Sequence, residues 1–268
     1  MALLHLVVLA LVQGITEFLP VSSSGHLVLV PVFTEWQDQG LLMDVAVHVG
    51  TLGAVILYLL KDILGIFAGL INVVRGRRDA RAKMAGYIVI ATIPVVIAGY
   101  FLNKHFPGAF RSILVIGWAT LGFGVFLAIT DWLGMTVRRM EHIRLFDAIV
   151  IGMFQVLALI PGTSRSGITM SAARLLGMER PDAARFSMLL SIPAIMGAGA
   201  LKGLELYQSG NAQLTTDAMI AAGMAFAAAL VAIVIMMAWL RRASFAPFVF
   251  YRMVLGCVLL AFAYGYIG

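Results

Sequence analysis

Long apolar runs separated by short charged segments are the main pattern along this chain of 268 residues. Six runs approach the roughly 20 apolar residues that a helix needs to cross a bilayer. They are 45–60, 86–101, 112–131, 186–201, 218–240 and 247–267. Two further apolar regions, 1–34 and 146–177, are each interrupted midway by proline, glycine and serine. The pattern predicts an all-α, polytopic membrane protein with six spanning helices.

The charged segments predict which side of the membrane each loop faces. Basic residues are concentrated in 61–85, in 132–145 and at Arg241 and Arg242. Because positive loops favour the cytoplasm, segments 102–111 and 202–217 fall on the outer side. Region 146–177 must then enter and leave on the cytoplasmic face, whereas region 1–34 either dips in and returns or has an N-terminal arm that crosses. Arms of about 15–24 Å fall short of a core of about 30 Å, which favours re-entry. We therefore predict two re-entrant helical hairpins.

The two interrupted regions also resemble each other. QGITEFLPVSSSG occupies residues 13–25, and QVLALIPGTSRSG occupies residues 155–167. Both have the same interval from glutamine to glycine, a proline midway and a serine-rich turn before the glycine. Since three predicted spans, an odd number, follow each copy, the second copy is inverted. We predict one domain, 1–268, with inverted-topology repeats of about 1–131 and 146–268, and a functional site near mid-membrane.

Composition supports the membrane interpretation and excludes several others. The chain is 62% hydrophobic and 12% charged, and its mean hydropathy of +0.99 lies outside the range of soluble domains. The net charge of +6 is explained by cytoplasmic loops, so no nucleic acid partner is expected. Cys257 is the single cysteine, which excludes a disulfide framework and a cysteine metal site.

Glu17 is the most informative polar residue of the first interrupted region. A carboxylate inside the membrane costs roughly 2.5–3.5 kcal/mol, so we expect it to be functional and partnered. The alternative is a helix-end carboxylate that meets interfacial water. Gln13 lies one helical turn earlier, so both side chains could hold one divalent cation or a water. Ser23 or Ser24 within reach of His26 would form a nucleophile–base pair, although a lone histidine is more often a structural hydrogen-bond partner.

The second interrupted region contains the turn GTSRSG at residues 162–167. Backbone amides of such a turn form an anion-binding concavity, and Arg165 adds a guanidinium that matches phosphate oxygens. The helix predicted to follow adds its N-terminal dipole. The alternative is that Arg165 extends to the cytoplasmic interface. The remaining residues predicted to line this cradle are Gly162, Thr163, Ser164, Ser166, Gly167 and Thr169.

Asp44 and His48 are spaced i, i+4 at the outer start of a predicted span. They either support the site from behind or form a helix end that meets water. Taken together, a base, a candidate cation site and an arginine indicate phosphate chemistry at membrane depth. Without longer motifs, interrupted helices and mid-membrane charges would equally indicate a secondary transporter.

The longer motifs give a family resemblance. Gln13-Gly14-Ile15-Thr16-Glu17 matches the pattern (E/Q)xxxE, the run PVSSSGH ends at His26, and PGTSRSGIT, residues 161–169, matches PGxSRSxxT. On these motifs, and in length and hydropathy, the chain resembles the undecaprenyl-diphosphate phosphatase family, the integral-membrane enzymes also known as bacitracin-resistance proteins. Gln13 stands where some members carry glutamate, which weakens a metal site that needs two carboxylates.

The resemblance implies hydrolysis of a polyprenyl diphosphate to the monophosphate carrier and inorganic phosphate. It also implies Mg²⁺ or Ca²⁺ as cofactor, membrane lipids as surroundings, and a bacterial inner-membrane protein whose site opens to the outer face. Arg165 would bind the diphosphate, Glu17 with Gln13 would hold the cation or orient a water, and His26 with Ser23 would act as base and attacking group. The substrate-binding residues would be Ser22, Ser24, Gly162, Thr163, Ser164, Ser166, Gly167 and Thr169.

Several alternatives stay open at this point. A serine, the histidine or a metal-bound water could attack, with Ser23 preferred. The rival functions are a proton-coupled secondary transporter, in which Glu17 relays protons, and a lipid-phosphate flippase. The physiological metal, the preferred lipid chain length and the oligomeric state are also open, with a homodimer as one option.

Overall fold

The computed structural model of the chain is helical throughout its described part. It describes residues 3–34, 36, 40–77, 79–106, 110, 112–134, 137–209 and 212–266, while the side chains of residues 28, 32, 33, 41, 42, 198–209 and 212–214 lie outside the description. Over these ranges there is no β-strand, only one isolated bridge between Arg138 and Met178. The all-α prediction is therefore confirmed.

The described residues form eleven α-helices. They are α1 (Leu3–Thr16), α2 (Ser23–Thr34), α3 (Gly40–Tyr58), α4 (Leu60–Val74), α5 (Ala80–His105), α6 (Ile113–Leu133), α7 (Leu145–Val156), α8 (Arg165–Leu175), α9 (Arg180–Ser209), α10 (Ala212–Leu240) and α11 (Ala246–Ala263). Short 3-10 turns lie at Met140–His142 and Leu157–Leu159. Both interrupted regions are thus pairs of short helices, as their proline, glycine and serine residues predict.

Four helices, α5, α6, α10 and α11, are long and apolar enough over their described residues to cross a membrane. They coincide with four of the six predicted spans. Helices α3 and α4 meet the same criterion only as a pair, and a bend of 75° separates them. The two other predicted spans, 45–60 and 186–201, fall mainly in α3 and in α9. A multi-pass helical membrane protein is the architecture that these lengths support.

Two segments predicted as loops are instead largely helical. The basic segment 61–85 contains most of α4 and the start of α5. The outer segment 202–217 continues α9 and begins α10, apart from residues 210 and 211, which are not described. The loop prediction is based on charge and polarity, whereas the observed helices follow the periodic spacing of apolar residues. The periodicity is plain in α4, whose exposed apolar residues Leu60, Leu64, Phe67, Ile71 and Val74 recur every three or four positions.

Small residues let the helices that carry the site approach closely. A Cβ atom at Gly50 would lie 2.1 Å from the carbonyl oxygen of Ala222, so α3 and α10 meet backbone to backbone. A Cβ at Gly14 would lie 2.6 Å from the Cβ of Ala228, which brings α1 onto the same helix. Such small-residue contacts are typical of membrane helix pairs. They fix α1, and with it the residues that follow.

Helix α8 is buried on all sides, from Ser166 to Arg174. It lies against α6, α7 and α9. At its C-terminal end Arg174 donates to Asp131 Oδ1 at 3.2 Å and to the carbonyl of Gly134 at 2.7 Å. These contacts compensate a guanidinium that is 1% exposed. The anchored end of α8 fixes where its other end, Arg165, is placed.

Candidate active site

The turns of the two interrupted regions meet. We call residues 17–25, which join α1 to α2, tip 1, and residues 159–167, which join α7 to α8, tip 2. Ser166 of tip 2 donates its hydroxyl to the carbonyl oxygen of Leu19 in tip 1 at 2.9 Å, across 147 residues of sequence. The two regions that sequence similarity relates are therefore in direct contact.

The two tips share an uncommon backbone conformation. Ser22 and Ser164 occupy aligned positions and have positive φ angles of 77° and 71°, which residues other than glycine rarely adopt. Each serine caps the helix that follows. The Ser22 Oγ accepts from the Gly25 amide at 3.3 Å, and the Ser164 Oγ accepts from the Gly167 amide at 3.0 Å. The serine-rich turns are thus N-caps of α2 and α8.

Glu17 connects the two tips through its carboxylate. Its Oε1 accepts from Arg165 Nη2 at 3.0 Å. Its Oε2 accepts from the Ser23 hydroxyl at 2.6 Å and from Gln13 Nε2 at 2.9 Å. The Glu17 side chain is 6% exposed, so these three donors replace the water that the charge has lost. A buried carboxylate with partners from both tips is the core of the site.

Arg165 is held on its second side by α9. Its Nη1 donates to the carbonyl of Ser187 at 3.1 Å, and the Ser187 hydroxyl lies 2.7 Å from Thr169 Oγ1. The arginine therefore points at Glu17 instead of extending towards a membrane interface. Because 17% of its side chain is exposed, a ligand in the site can reach it.

His26 does not pair with the serines of its own tip. Its Nδ1 donates to the Ser22 carbonyl at 2.7 Å, and its Nε2 accepts from the hydroxyl of Tyr251 in α11. The two rings stack with centroids 5.7 Å apart. The predicted Ser23–His26 or Ser24–His26 hydrogen bond is therefore absent, since the Ser23 hydroxyl is directed at Glu17. Helix α2 starts at Ser23, and its geometry carries the imidazole towards α11 instead.

His48 lies beside Glu17, and Asp44 accepts a hydrogen bond from His48 through its backbone carbonyl. His48 Nε2 lies 3.6 Å from Glu17 Oε2, and its Nδ1 donates to the carbonyl of Asp44 at 2.6 Å. The i, i+4 spacing gives the bond between His48 and the Asp44 carbonyl, and the packing of α3 brings His48 beside the carboxylate; a supporting role for the pair stays a prediction.

The other residues predicted to line the anion-binding concavity differ in their exposure to solvent. Gly162 has a φ of 95°, and a Cβ there would lie 2.6 Å from the carbonyl of Ile116, so only glycine fits against α6. The Thr163 hydroxyl is buried and has no hydrogen-bond partner among the described residues. Ser24 is exposed and bonds only weakly to Ser22, at 3.4 Å. The buried members therefore shape the turn, and Ser24 lies at its surface.

Sequence reasoning missed three residues that touch the site: Ser187, Tyr251 and Arg252. Nothing in the local sequence distinguishes Ser187, because its role depends on how α9 packs against α8. Arg252 did carry a signal, since it is a charged residue inside the predicted span 247–267. Its contacts are described below.

Fold and site together define a polytopic helical membrane protein whose polar centre lies between two interrupted helices. The chain belongs to the BacA family: the family model described as bacitracin resistance protein BacA matches residues 6–258. Curated relatives agree along nearly the whole chain. "Undecaprenyl-diphosphatase 1" of Rhodospirillum rubrum is 53% identical, covering 98% of this chain and 96% of the relative. "Undecaprenyl-diphosphatase" of Ruegeria pomeroyi is 52% identical, covering 98% and 100%.

Proposed function

We propose that this protein is an undecaprenyl-diphosphate phosphatase, which hydrolyses a polyprenyl diphosphate to the monophosphate lipid carrier and inorganic phosphate. It thereby supports cell-wall synthesis and bacitracin resistance. The observation that carries the proposal is the contact between the two tips, in which Glu17 holds both Ser23 and Arg165. This contact joins a base, a hydroxyl and a phosphate-binding cation in one place.

Ser23 is the attacking group that this geometry favours. Its hydroxyl already donates to Glu17 at 2.6 Å, so the carboxylate can take the proton as Oγ attacks the terminal phosphorus. The new Oγ–P bond replaces the bond from that phosphorus to the bridging oxygen, and polyprenyl monophosphate leaves. A water then attacks the phosphoserine, and inorganic phosphate is released. The Ser23 Oγ regains the proton that Glu17 took in the first step.

The negative charge of the transferred phosphoryl group is stabilised by Arg165 and by the N-termini of two helices. Phosphoryl transfer depends mainly on positioning and electrostatic stabilisation. The Arg165 guanidinium is fixed between Glu17 and the Ser187 carbonyl, so it is oriented before substrate arrives. The N-termini of α2 and α8 add amide donors and positive dipole ends.

The residues present can fit a divalent cation that takes most of its ligands from substrate and water. Glu17 offers one carboxylate, and the buried Gln13 Oε1 has no hydrogen-bond partner within the part of the chain that the structure describes. No cluster of three acidic, histidine or cysteine side chains occurs among the described residues. Mg²⁺ is commonly held by one or two carboxylates plus substrate phosphates. We propose Glu17 and Gln13 as its protein ligands; a bound Mg²⁺ or Ca²⁺ would neutralise phosphate charge.

For the topology we propose six spanning helices and two re-entrant hairpins, arranged as inverted repeats of about 1–131 and 146–268. The shared serine caps of the two tips support this arrangement. The basic segments at 61–85 and 132–145 support their placement on the cytoplasmic side of the membrane. The family resemblance adds the proposal that this is an inner-membrane protein whose site opens to the outer face. A homodimer stays a prediction.

The test is phosphate release from undecaprenyl diphosphate by purified protein in detergent, with Mg²⁺, with Ca²⁺ and with chelator. We expect release with metal that disappears in Arg165→Ala. Folded wild-type protein that releases no phosphate under any of these conditions would contradict the proposal. Substrate uptake into proteoliposomes without hydrolysis would instead indicate a transporter, and lipid transfer between leaflets would indicate a flippase.

A further inference from the structure

Arg252 is the most deeply buried charge near the site. It lies in α11, inside a helix long and apolar enough to span the membrane, and its exposure is 0%. Neither the family motifs nor the phosphoryl-transfer steps proposed above use it. A guanidinium in such a place is costly unless its hydrogen bonds are satisfied, so its contacts indicate its role.

Its donors reach four backbone carbonyls, two of which belong to the tips. Nη1 donates to Pro20 in tip 1 at 3.2 Å, and Nη2 donates to Gly162 in tip 2 at 3.0 Å. The other two carbonyls, at 3.2 and 3.4 Å, are those of Thr120 and Ala119 in α6. The fixed fork of a guanidinium suits this multiple bonding, which an ammonium group cannot reproduce.

Pro20 and Gly162 are equivalent positions of the two tips. When Gln13 is aligned with Gln155, Pro20 falls on Gly162. Pro20 lies three residues after Glu17, and Gly162 lies three residues before Arg165. One guanidinium therefore binds the same carbonyl in both repeats, and it fixes the separation of the segments that present Glu17 and Arg165.

The charge of Arg252 is also uncompensated. The buried arginine of α8, Arg174, has Asp131 at 3.2 Å, and Arg165 has Glu17 at 3.0 Å. No carboxylate in the described part of the chain lies within 4 Å of the Arg252 nitrogens. The charges of Glu17 and Arg165 cancel, so the Arg252 guanidinium leaves one net positive charge beside the tips. Because its surroundings have a low dielectric constant, this charge acts over several ångströms.

We propose that Arg252 is a positioning residue of the site: it fixes the two tips relative to each other, and its unpaired charge favours binding of the diphosphate. This inference rests on the proposed function for its substrate, but not for its geometry. It predicts two separable effects, one of geometry on kcat and one of charge on anion affinity.

The experiment compares Arg252→Lys, which keeps the charge but loses the fork, with Arg252→Met, which loses both. For each purified variant, kcat and KM for undecaprenyl diphosphate are measured per folded molecule, and the Kd for inorganic pyrophosphate is measured by calorimetry. We expect kcat to fall by up to about 10²-fold in both, as misplacement of reacting groups does. Pyrophosphate Kd should rise about tenfold in Arg252→Met and stay near wild type in Arg252→Lys.

Arg174→Met is the matched control, because Arg174 is equally buried but lies at the other end of α8. It should lower Tm, reduce kcat per folded molecule less than Arg252→Met does, and leave the pyrophosphate Kd unchanged. A double-mutant cycle with Arg165→Lys adds a further check: once the contact between the tips is already weakened, Arg252→Lys should cost much less. Additive effects would contradict the positioning role.

Gly124→Ala keeps the test decisive if Arg252→Met fails to fold. A Cβ at Gly124 would lie 3.0 Å from the Arg252 Cβ and 3.4 Å from its Nε, so it displaces the side chain without removing its charge. We expect a lower kcat with an unchanged pyrophosphate Kd.

Wild-type kcat in both Gly124→Ala and Arg252→Lys would overturn the proposal. Absence of phosphate release by wild type would reject the proposed function alone, since pyrophosphate binding still tests Arg252.

Discussion

Tip 1 and tip 2 end in similar serine-capped turns but differ in chemistry. Both carry a capping serine with positive φ, and both have the following helix capped through a glycine amide. The difference lies in the side chains at aligned positions, Glu17 against Leu159 and Ser23 against Arg165. Tip 1 contributes a carboxylate and a hydroxyl, and tip 2 contributes a guanidinium. The two tips thus share a capped turn, and the differences at a few aligned positions account for their different chemistry.

The comparison also shows why neither tip suffices alone. Gln13 and Gln155 occupy aligned, fully buried positions. Gln13 donates to the Glu17 carboxylate, whereas Gln155 donates to the backbone carbonyl of Ala91 at 3.2 Å. Tip 2 contains no carboxylate of its own, and its nearest one is Glu17 of tip 1. The polar site is therefore asymmetric although its frame is pseudo-symmetric.

Replacing Arg165, the arginine of tip 2, should have the largest effect. We expect Arg165→Ala to lower kcat by about 10³-fold or more, the range found for arginines that stabilise phosphoryl transfer. It should also destabilise the fold by about 3–5 kcal/mol, because Glu17 is left buried and unpaired. Phosphate release and thermal unfolding in detergent measure the two effects.

A double variant separates stability from catalysis in this pair. Glu17→Gln combined with Arg165→Met removes both charges, so we expect Tm to recover towards wild type while activity stays lost. Recovery of activity together with stability would show that the pair is structural only.

Removing the hydroxyl of tip 1 should come next. Ser23→Ala is expected to lower kcat by about 10³-fold, because Glu17 then has no nucleophile to deprotonate. Ser24→Ala is the comparison, since Ser24 is exposed and its hydroxyl lies 3.4 Å from that of Ser22; it should lower kcat far less than Ser23→Ala. Phosphoenzyme trapping after acid quench should detect label in wild type and none in Ser23→Ala. Full activity in Ser23→Ala would indicate that water attacks directly.

His26 should have a smaller but diagnostic effect. It bonds to Tyr251 and not to Ser23, so it can act only on substrate or through a water. We expect His26→Ala to lower kcat by about 10²-fold and to remove one limb of the pH–rate profile. The profile of kcat against pH is the measurement. An unchanged profile would exclude the histidine from proton transfer.

The two glutamines allow a matched test of the cation site. Gln13→Glu places a second carboxylate beside Glu17, so the Mg²⁺ or Ca²⁺ concentration for half-maximal activity should fall about tenfold, equivalent to 1.4 kcal/mol. Gln155→Glu makes the same change at the aligned position of α7, where Leu159 stands in place of Glu17, and should lower Tm without changing metal dependence. Equal metal dependence in wild type and Gln13→Glu would place the cation elsewhere.

The sequence was sufficient to predict the helical class, four spans and the interrupted regions, because apolar run length and turn residues are local signals. It also related Ser22 to Ser164 through a short internal match. It did not predict that Ser23 would face Glu17, since that depends on where α2 starts after the cap. The roles of Ser187 and Tyr251 depend on packing between distant helices, and no local pattern encodes that.

The capping serine of each tip should give the smallest effect. Ser164 has a φ of 71° and caps α8, so it combines backbone strain with a favourable hydrogen bond. Ser164→Ala loses the cap and keeps the strain, and we expect a loss of about 1–2 kcal/mol. Ser164→Gly loses the same bond but relieves the strain, so its Tm should lie above that of Ser164→Ala and close to wild type. Ser22→Gly and Ser22→Ala, measured in parallel by thermal unfolding, should follow the same order, because Ser22 adopts the same conformation in tip 1. The reverse order in either tip would show that the positive φ carries no strain there, and that the two backbones are alike in geometry only.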